Sequence, residues 1–161
     1  MISYLRHILF FCLINLYGVG FVHAELAVSL IDGALEGVAI EGYDAVAYFK
    51  DGEPAKGNPE FSTNHSGTVW YFKNQENLEQ FNANPALYLP QYGGHCAYAA
   101  ANNNVVSSNP NRWKIVDGKL YLQANIVALK LWGNNIPENI IKADKNWPSI
   151  QKKIKDKFAN K

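Results

Sequence analysis

The stretch Trp113-Lys114-Ile115-Val116-Asp117-Gly118-Lys119-Leu120-Tyr121-Leu122 decides the fold class. Two short runs rich in β-branched and aromatic residues flank Asp-Gly, a dipeptide that tolerates the positive φ of a type I′ turn, so the stretch predicts a β-hairpin. Phe61 to Asn64 and Thr68 to Phe72 flank His65-Ser66-Gly67 with the same signature and predict a second hairpin. Between and beyond the hairpins the signals are helical. Asn74 caps a helix over 75–83, Gly93-Gly94 frees the backbone to begin another at about His95 through Ala101, and three more are expected near 124–132, 137–146 and 149–158, the last two separated by Pro148. The expected class is α+β: two β-hairpins packed against several short helices around an aromatic-rich core. The sequence reads without an internal repeat.

Residues 1–24 carry Arg6, an apolar run from Ile8 to Val22 and the small-residue ending Val22-His23-Ala24, the pattern of a secretory signal peptide cleaved before Glu25. Export to the periplasm or the outside is the expectation, and Cys12 would leave with the segment. Domain organisation then reads as one domain over 25–148 and a basic helix or tail over 149–161. Arg6 is the only Lys or Arg in the leader, so the mature chain holds basic and acidic residues in equal number, which gives no steering towards nucleic acid. Lys152, Lys153, Lys155, Lys157 and Lys161 surround Ile150, Ile154 and Phe158 at helical spacing. A solvated helix packing its apolar edge is favoured over membrane contact.

One thiol remains, Cys96, within Gly93-Gly94-His95-Cys96-Ala97-Tyr98. A lone cysteine closes no internal disulfide, which leaves packing, metal ligation or redox chemistry. In the first turn of a helix it would face unpaired N–H groups that favour the thiolate. His95 and His65 are the only histidines after the leader, and Cys96, His95 and His65, with Asp44, would suit Cu or Zn. Adjacent helical residues point about 100° apart, so His95 and Cys96 share an ion only if His95 lies outside the helix. The alternative is Cys96 packed inertly on the small face of Ala97, Ala99, Ala100 and Ala101. Tyr43, Tyr48, Tyr88, Tyr92 and Tyr98 form a second constellation, either core aromatics or the lining of a pocket for a small organic ligand with Asp44 and Cys96 at its floor.

The run Gly42-Tyr43-Asp44-Ala45-Val46-Ala47-Tyr48-Phe49, the strand Val69-Trp70-Tyr71-Phe72, and Glu76-Asn77-Leu78-Glu79-Gln80-Phe81-Asn82-Ala83-Asn84-Pro85 together resemble the YHS domain. Pro90 to Ala99 and Trp113 to Leu122 look like the exported proteins that extend that module. The resemblance covers about 40–148 and implies the fold more than the ligand. Members attached to metal-pumping ATPases carry cysteines that this chain lacks: the family's Asp-Pro-Val-Cys reads Asp44-Ala45-Val46-Ala47, and its Cys-x-x-x-Cys reads Lys73-Asn74-Gln75-Glu76-Asn77. A thiolate cage at that place is excluded.

No pair of catalytic carboxylates and no Ser-His-Asp order stands out. The favoured expectation is a non-enzymatic YHS-type binding module for a metal ion or small molecule, with Cys96 and His95 or His65 as donors. A thiol-dependent redox protein or enzyme using Cys96, and an interaction domain in which Cys96 is merely packed, are the alternatives.

Overall fold

In a computed structural model the described residues are 30–33 and 37–159, the side chains of 157–159 excepted. The leader 1–24 lies outside them. Both hairpins form where expected. Strands β1 (Asn58–His65) and β2 (Thr68–Phe72) pair antiparallel, as do β3 (Asn109–Val116) and β4 (Lys119–Gln123), in two separate two-stranded sheets. The connecting pairs Ser66-Gly67 and Asp117-Gly118 all have positive φ, 54° and 74°, then 50° and 71°, the type I′ geometry whose twist matches a hairpin.

The helices are α1 (Ala47–Lys50), α2 (Gln75–Ala83), α3 (Ala97–Ala101), α4 (Ile126–Gly133) and α5 (Ile136–Ala159). The α+β class is as expected, while α5 differs from the expected pair of helices by running straight through Pro148. Proline removes the bond that the Asp144 carbonyl would receive, a loss of about 3 kcal/mol. On the same helix Ile150 is fully buried and Ile154 is 4% exposed. Each contributes about 1.5–3 kcal/mol of apolar burial, enough to hold the helix together across the proline. The exposed lysines 152, 153 and 155 occupy its outer side.

The two halves of the domain repeat one another. Asn58-Pro59 and Asn109-Pro110 open the first strands, with Asn58 Oδ1 accepting from the Glu60 N–H (3.0 Å) and Asn109 Oδ1 from the Asn111 N–H (2.9 Å). Each hairpin then breaks register at the same place, between Asn58 and Ser62 and between Asn109 and Trp113. Asn74 caps α2 by accepting from the Asn77 N–H, and Asn125 caps α4 by accepting from the Ala128 N–H, both at 2.9 Å. Trp70 stacks on Phe81 at 5.3 Å between ring centroids, and Tyr121 on Trp132 at 5.0 Å. From strand to helix every one of these pairs falls at one fixed spacing along the chain.

The segments before the hairpins match too, after a slip of one residue. Ile40, Glu41 and Gly42 are left-handed in succession, as are Tyr92, Gly93 and Gly94. The Tyr43 N–H then donates to the Ile40 carbonyl and the His95 N–H to the Tyr92 carbonyl, both at 3.1 Å. The Asp44 N–H meets the Ala55 carbonyl and the Cys96 N–H meets the Val106 carbonyl, both at 2.9 Å. The fold is therefore a tandem duplication that the sequence reading missed. Apart from Leu78 with Leu129, Ala45 with Ala97 and Ala47 with Ala99, the identities the halves share are turn and cap residues, Gly, Asn and Pro, whereas the stacked core rings are exchanged, Trp for Tyr and Phe for Trp.

Each half owns a core. Trp70, Phe72, Phe81, Tyr48 and Val46 build the first, to which Leu120 and Leu122 of β4 are added. Tyr92, Tyr121, Trp132 and the alanines of α3 build the second, closed by Ala143, Ile150 and Ile154 of α5. The small residues of α3 let α5 approach closely, and Asn146 Nδ2 donates to the terminal carbonyls of Ala100 and Ala101 at 3.1 Å. Among the described residues no helix is long and apolar enough to cross a membrane.

Candidate functional site

Cys96 lies one residue earlier than expected, at the N-cap of α3 rather than in its first turn. It is 1% exposed, and its thiol donates to Gln123 Oε1 at 3.5 Å. The same Oε1 accepts the Tyr98 N–H at 3.0 Å, so a side chain from the end of β4 caps this helix in place of its own N-cap residue. His95 is outside the helix, yet it does not join Cys96. Its backbone is extended (φ −65°, ψ 162°), and successive side chains of extended chain point to opposite sides. His95 Nδ1 thus lies 3.5 Å from Asp32 Oδ1, away from the thiol.

His65 ends β1 and packs edge-on against Phe81, 5.6 Å between centroids. The expected ligand set Cys96, His95 and His65 is not assembled. Among the described residues no group of three or more His, Cys, Asp or Glu side chains is placed to hold a metal ion.

Asp44 is fully buried and belongs to the frame of the first half. Its Oδ1 accepts from the Val46 and Ala47 N–H groups at 2.8 and 3.3 Å, capping α1, and its Oδ2 accepts from the Lys73 N–H at 2.9 Å and Asn77 Nδ2 at 2.7 Å. The expected pocket of tyrosines around it does not form, because the tyrosines divide between the two cores. Tyr48 donates its hydroxyl to the Pro110 carbonyl at 3.0 Å in the first core, while Tyr92 donates to Asp144 Oδ1 at 2.9 Å in the second. Burial raises the pKa of both hydroxyls, and for Tyr92 the bond to Asp144 raises it further. Tyr43 accepts from Asn111 Nδ2 at 3.1 Å, and Tyr98 lies on α3 beside a separate hollow of about 360 Å³ that Cys96 also borders.

A cleft lies elsewhere, between the two halves. It has a volume of about 610 Å³ and takes Glu41, Gly42, Lys56, Gly57 and Tyr71 from the first half and Ser107 and Ser108 from the second, with Asp32 of the lead-in between them. Lys56-Gly57 and Ser107-Ser108 are equivalent positions of the duplication. In the first half the Gly57 N–H donates to the Gly42 carbonyl at 2.9 Å. In the second, the Ser108 N–H donates to Asp32 Oδ2 at 2.7 Å, and the Ser108 hydroxyl follows at 3.3 Å.

Asp32 is fixed along its backbone as well. Its N–H donates to the Gly93 carbonyl at 2.7 Å and its carbonyl accepts the Ile40 N–H at 3.1 Å, so both left-handed turns hold it. Gly93 (φ 62°) has no substitute here, since a Cβ would lie 2.1 Å from the Leu30 carbonyl oxygen. At the other end of the cleft Lys56 Nζ donates to the Glu41 carbonyl at 2.7 Å and stands 4.3 Å from the Tyr43 ring centroid.

The sequence reading passed over Asp32, Glu41, Lys56, Ser108 and Gln123. Asn-Pro, which occurs at 58–59, 84–85 and 109–110, held the available signal: aligning the first of these dipeptides on the third brings Lys56-Gly57 onto Ser107-Ser108 and exposes the duplication. Comparison with protein-family models, with curated proteins and with solved structures finds no match to the chain.

Proposed function

We propose that the chain is an exported, non-enzymatic binding module of the YHS type, whose ligand is a small molecule taken up in the cleft between its two halves. The observation that carries this reading is the cleft bounded by Asp32, whose carboxylate is oriented by Ser108 and whose backbone is held by both left-handed turns. Its volume lies within the range of small-molecule sites, and clefts between structural units are common places for them. Export rests on the sequence of residues 1–24, and the module type on the motif from Gly42 to Phe49 and its continuation.

A metal centred on Cys96 has less support, because His95 and Cys96 face opposite ways and His65 packs on Phe81. Thiol chemistry has less support as well: the Cys96 thiol is engaged with Gln123 and only 1% exposed. The same burial favours the second reading, an interaction domain in which Cys96 is packing.

Thermal unfolding of the mature protein in the presence of a metabolite panel, and of Cu and Zn salts, tests the assignment. A ligand at a hundredfold its Kd adds about 2.7 kcal/mol of stability. Compounds that raise the melting temperature of the wild type but not of Lys56→Ala or Tyr71→Ala support the cleft. A rise with Cu or Zn that disappears in Cys96→Ala returns the assignment to a metal site. No rise with any compound leaves the interaction domain.

A further inference from the structure

The duplication gives the hollow of about 360 Å³ beside α3 a counterpart in the first half. Cys96, Tyr98, Val106, Ala124, Asn125 and Ala128 border it, the equivalents of Asp44, Val46, Ala55, Lys73, Asn74 and Asn77. In the first half that place is filled. Asp44 Oδ1 takes the Val46 N–H at 2.8 Å, and Oδ2 takes the Lys73 N–H at 2.9 Å and the Asn77 amide at 2.7 Å. In the second half the side chains are cut back: Asp44 becomes Cys96, Asn77 becomes Ala128, and Lys73, whose ammonium pairs with Asp51, becomes Ala124. Only one of the two carboxylate oxygens is replaced. Gln123 Oε1 takes the Tyr98 N–H at 3.0 Å, as Asp44 Oδ1 takes that of Val46. The Ala124 N–H, equivalent to the Lys73 N–H, has lost its carboxylate, and Ala124 lines the hollow that remains.

We infer that this hollow is a second ligand site, apart from the cleft between the halves, and that it takes a small uncharged amide whose carbonyl oxygen accepts the Ala124 N–H, as Asp44 Oδ2 accepts that of Lys73. The frame that presents this N–H is kept. Asn125 caps α4 as Asn74 caps α2, and the Cys96 N–H meets the Val106 carbonyl as the Asp44 N–H meets that of Ala55. An oxygen acceptor therefore fits, and a charge does not. No Asp, Glu, Lys, Arg or His is among the described residues that line the hollow. A carboxylate there would meet no cation, and of the two donors to Asp44 Oδ2 the Asn77 amide is gone, so its desolvation would go largely uncompensated. Asn102 and Asn104 add neutral donors and acceptors, and Ala128 and Val106 an apolar bed, which together match an amide on a short aliphatic body.

Isobutyramide, isobutyrate and isobutylamine, matched in size, are the probes, each titrated into the ¹⁵N-labelled mature protein and followed through its backbone amide signals by NMR. Isobutyramide should give a saturable downfield shift of the Ala124 N–H with smaller shifts at Ala128, and should bind about tenfold more tightly than the other two, the ratio that one well-made hydrogen bond supplies. Ala128→Asn, which returns the Asn77 side chain to this place, should weaken isobutyramide by about tenfold. Equal or tighter binding of isobutyrate or isobutylamine overturns the uncharged class. Shifts confined to Gly57 and Tyr71 put the amide in the cleft and overturn the second site, as does the absence of a saturable shift with any of the three. A folded Ala128→Asn protein that binds like the wild type overturns it too, and the wild-type shifts decide alone where that variant does not fold.

Discussion

Cys96 occupies in the second half of the fold the position that Asp44 occupies in the first. Both follow a left-handed turn, both donate their N–H to a loop carbonyl at 2.9 Å, and both stand at the start of a short helix. The cap itself has been rebuilt. Asp44 supplies acceptors to the Val46 N–H and, across the half, to the Lys73 N–H and the Asn77 amide. Opposite Cys96 the acceptor comes back from Gln123, which takes the Tyr98 N–H and the thiol together.

Asp44→Ala should therefore unfold the protein more readily than any surface change. It leaves buried donors without acceptors at about 1–3 kcal/mol each, so a loss of at least about 3 kcal/mol is expected in urea unfolding. Asp44→Asn, which keeps one acceptor oxygen, should lose less. Equal stability of Asp44→Ala and wild type would remove the residue from the frame.

Cys96 should resist iodoacetamide in the native protein and react fully in denaturant, because it is 1% exposed. Gln123→Leu should destabilise by about 1–3 kcal/mol through the uncapped Tyr98 N–H and should speed native alkylation. Rapid native labelling of the wild type, read by mass spectrometry, would contradict the packing described.

Asn74→Ala and Asn125→Ala should weaken stability by similar amounts, about 1 kcal/mol each, since they remove equivalent caps with the same 2.9 Å bond. The double variant should show the sum, because the two caps belong to separate helices and share no hydrogen-bond partner. A neutral effect at either asparagine would break the equivalence of the halves there.

Alkaline stability should follow Tyr48, Tyr92 and Tyr121, whose hydroxyls burial holds protonated above the ordinary value of 10.0. The unfolded chain loses these protons first, so the stability they contribute is complete below pH 10 and declines as pH rises above it. Tyrosinate absorbance should show these three ionising only with unfolding, and Tyr92→Phe should flatten the decline. Reversible ionisation of all tyrosines in the folded protein would refute it.

Gly93→Ala should detach the lead-in, since its Cβ would overlap the Leu30 carbonyl and the backbone is left-handed. Calorimetry should show lower stability together with loss of any ligand effect at the cleft, because Asp32 hangs from the Gly93 carbonyl. Wild-type ligand response in a folded Gly93→Ala protein would separate Asp32 from the site.

Local chemistry was legible in the sequence wherever it acts through neighbours in the chain. Asp117-Gly118, Ser66-Gly67 and Asn74 placed both hairpins and α2 to within a few residues, since turn and cap geometry is decided over two to four positions. Pro148 misled for the opposite reason: its local cost is outweighed by Ile150 and Ile154, whose partners lie elsewhere in the chain. The candidate site suffered most. His95 and Cys96 are adjacent in sequence but turn to Asp32 and Gln123, far away in opposite directions along the chain. Asp32 sat in an irregular segment without a motif, and only the second half's loop at Ser108 shows what it is for.

The unlike caps at Asp44 and Gln123 also protect the chain from confusing its own halves. Tandem copies invite exchange of equivalent hairpins, within one chain or between two, as a route to misassembly. Were β2 to take the place of β4 beside α3, Phe72 would stand where Gln123 belongs and the Tyr98 N–H would meet a hydrocarbon ring. Were β4 with α4 to take the place of β2 with α2, Asp44 would find Ala128 in place of the Asn77 amide. Each wrong partner strands a polar group in a core, so divergence at these positions acts as a key that fits only its own lock.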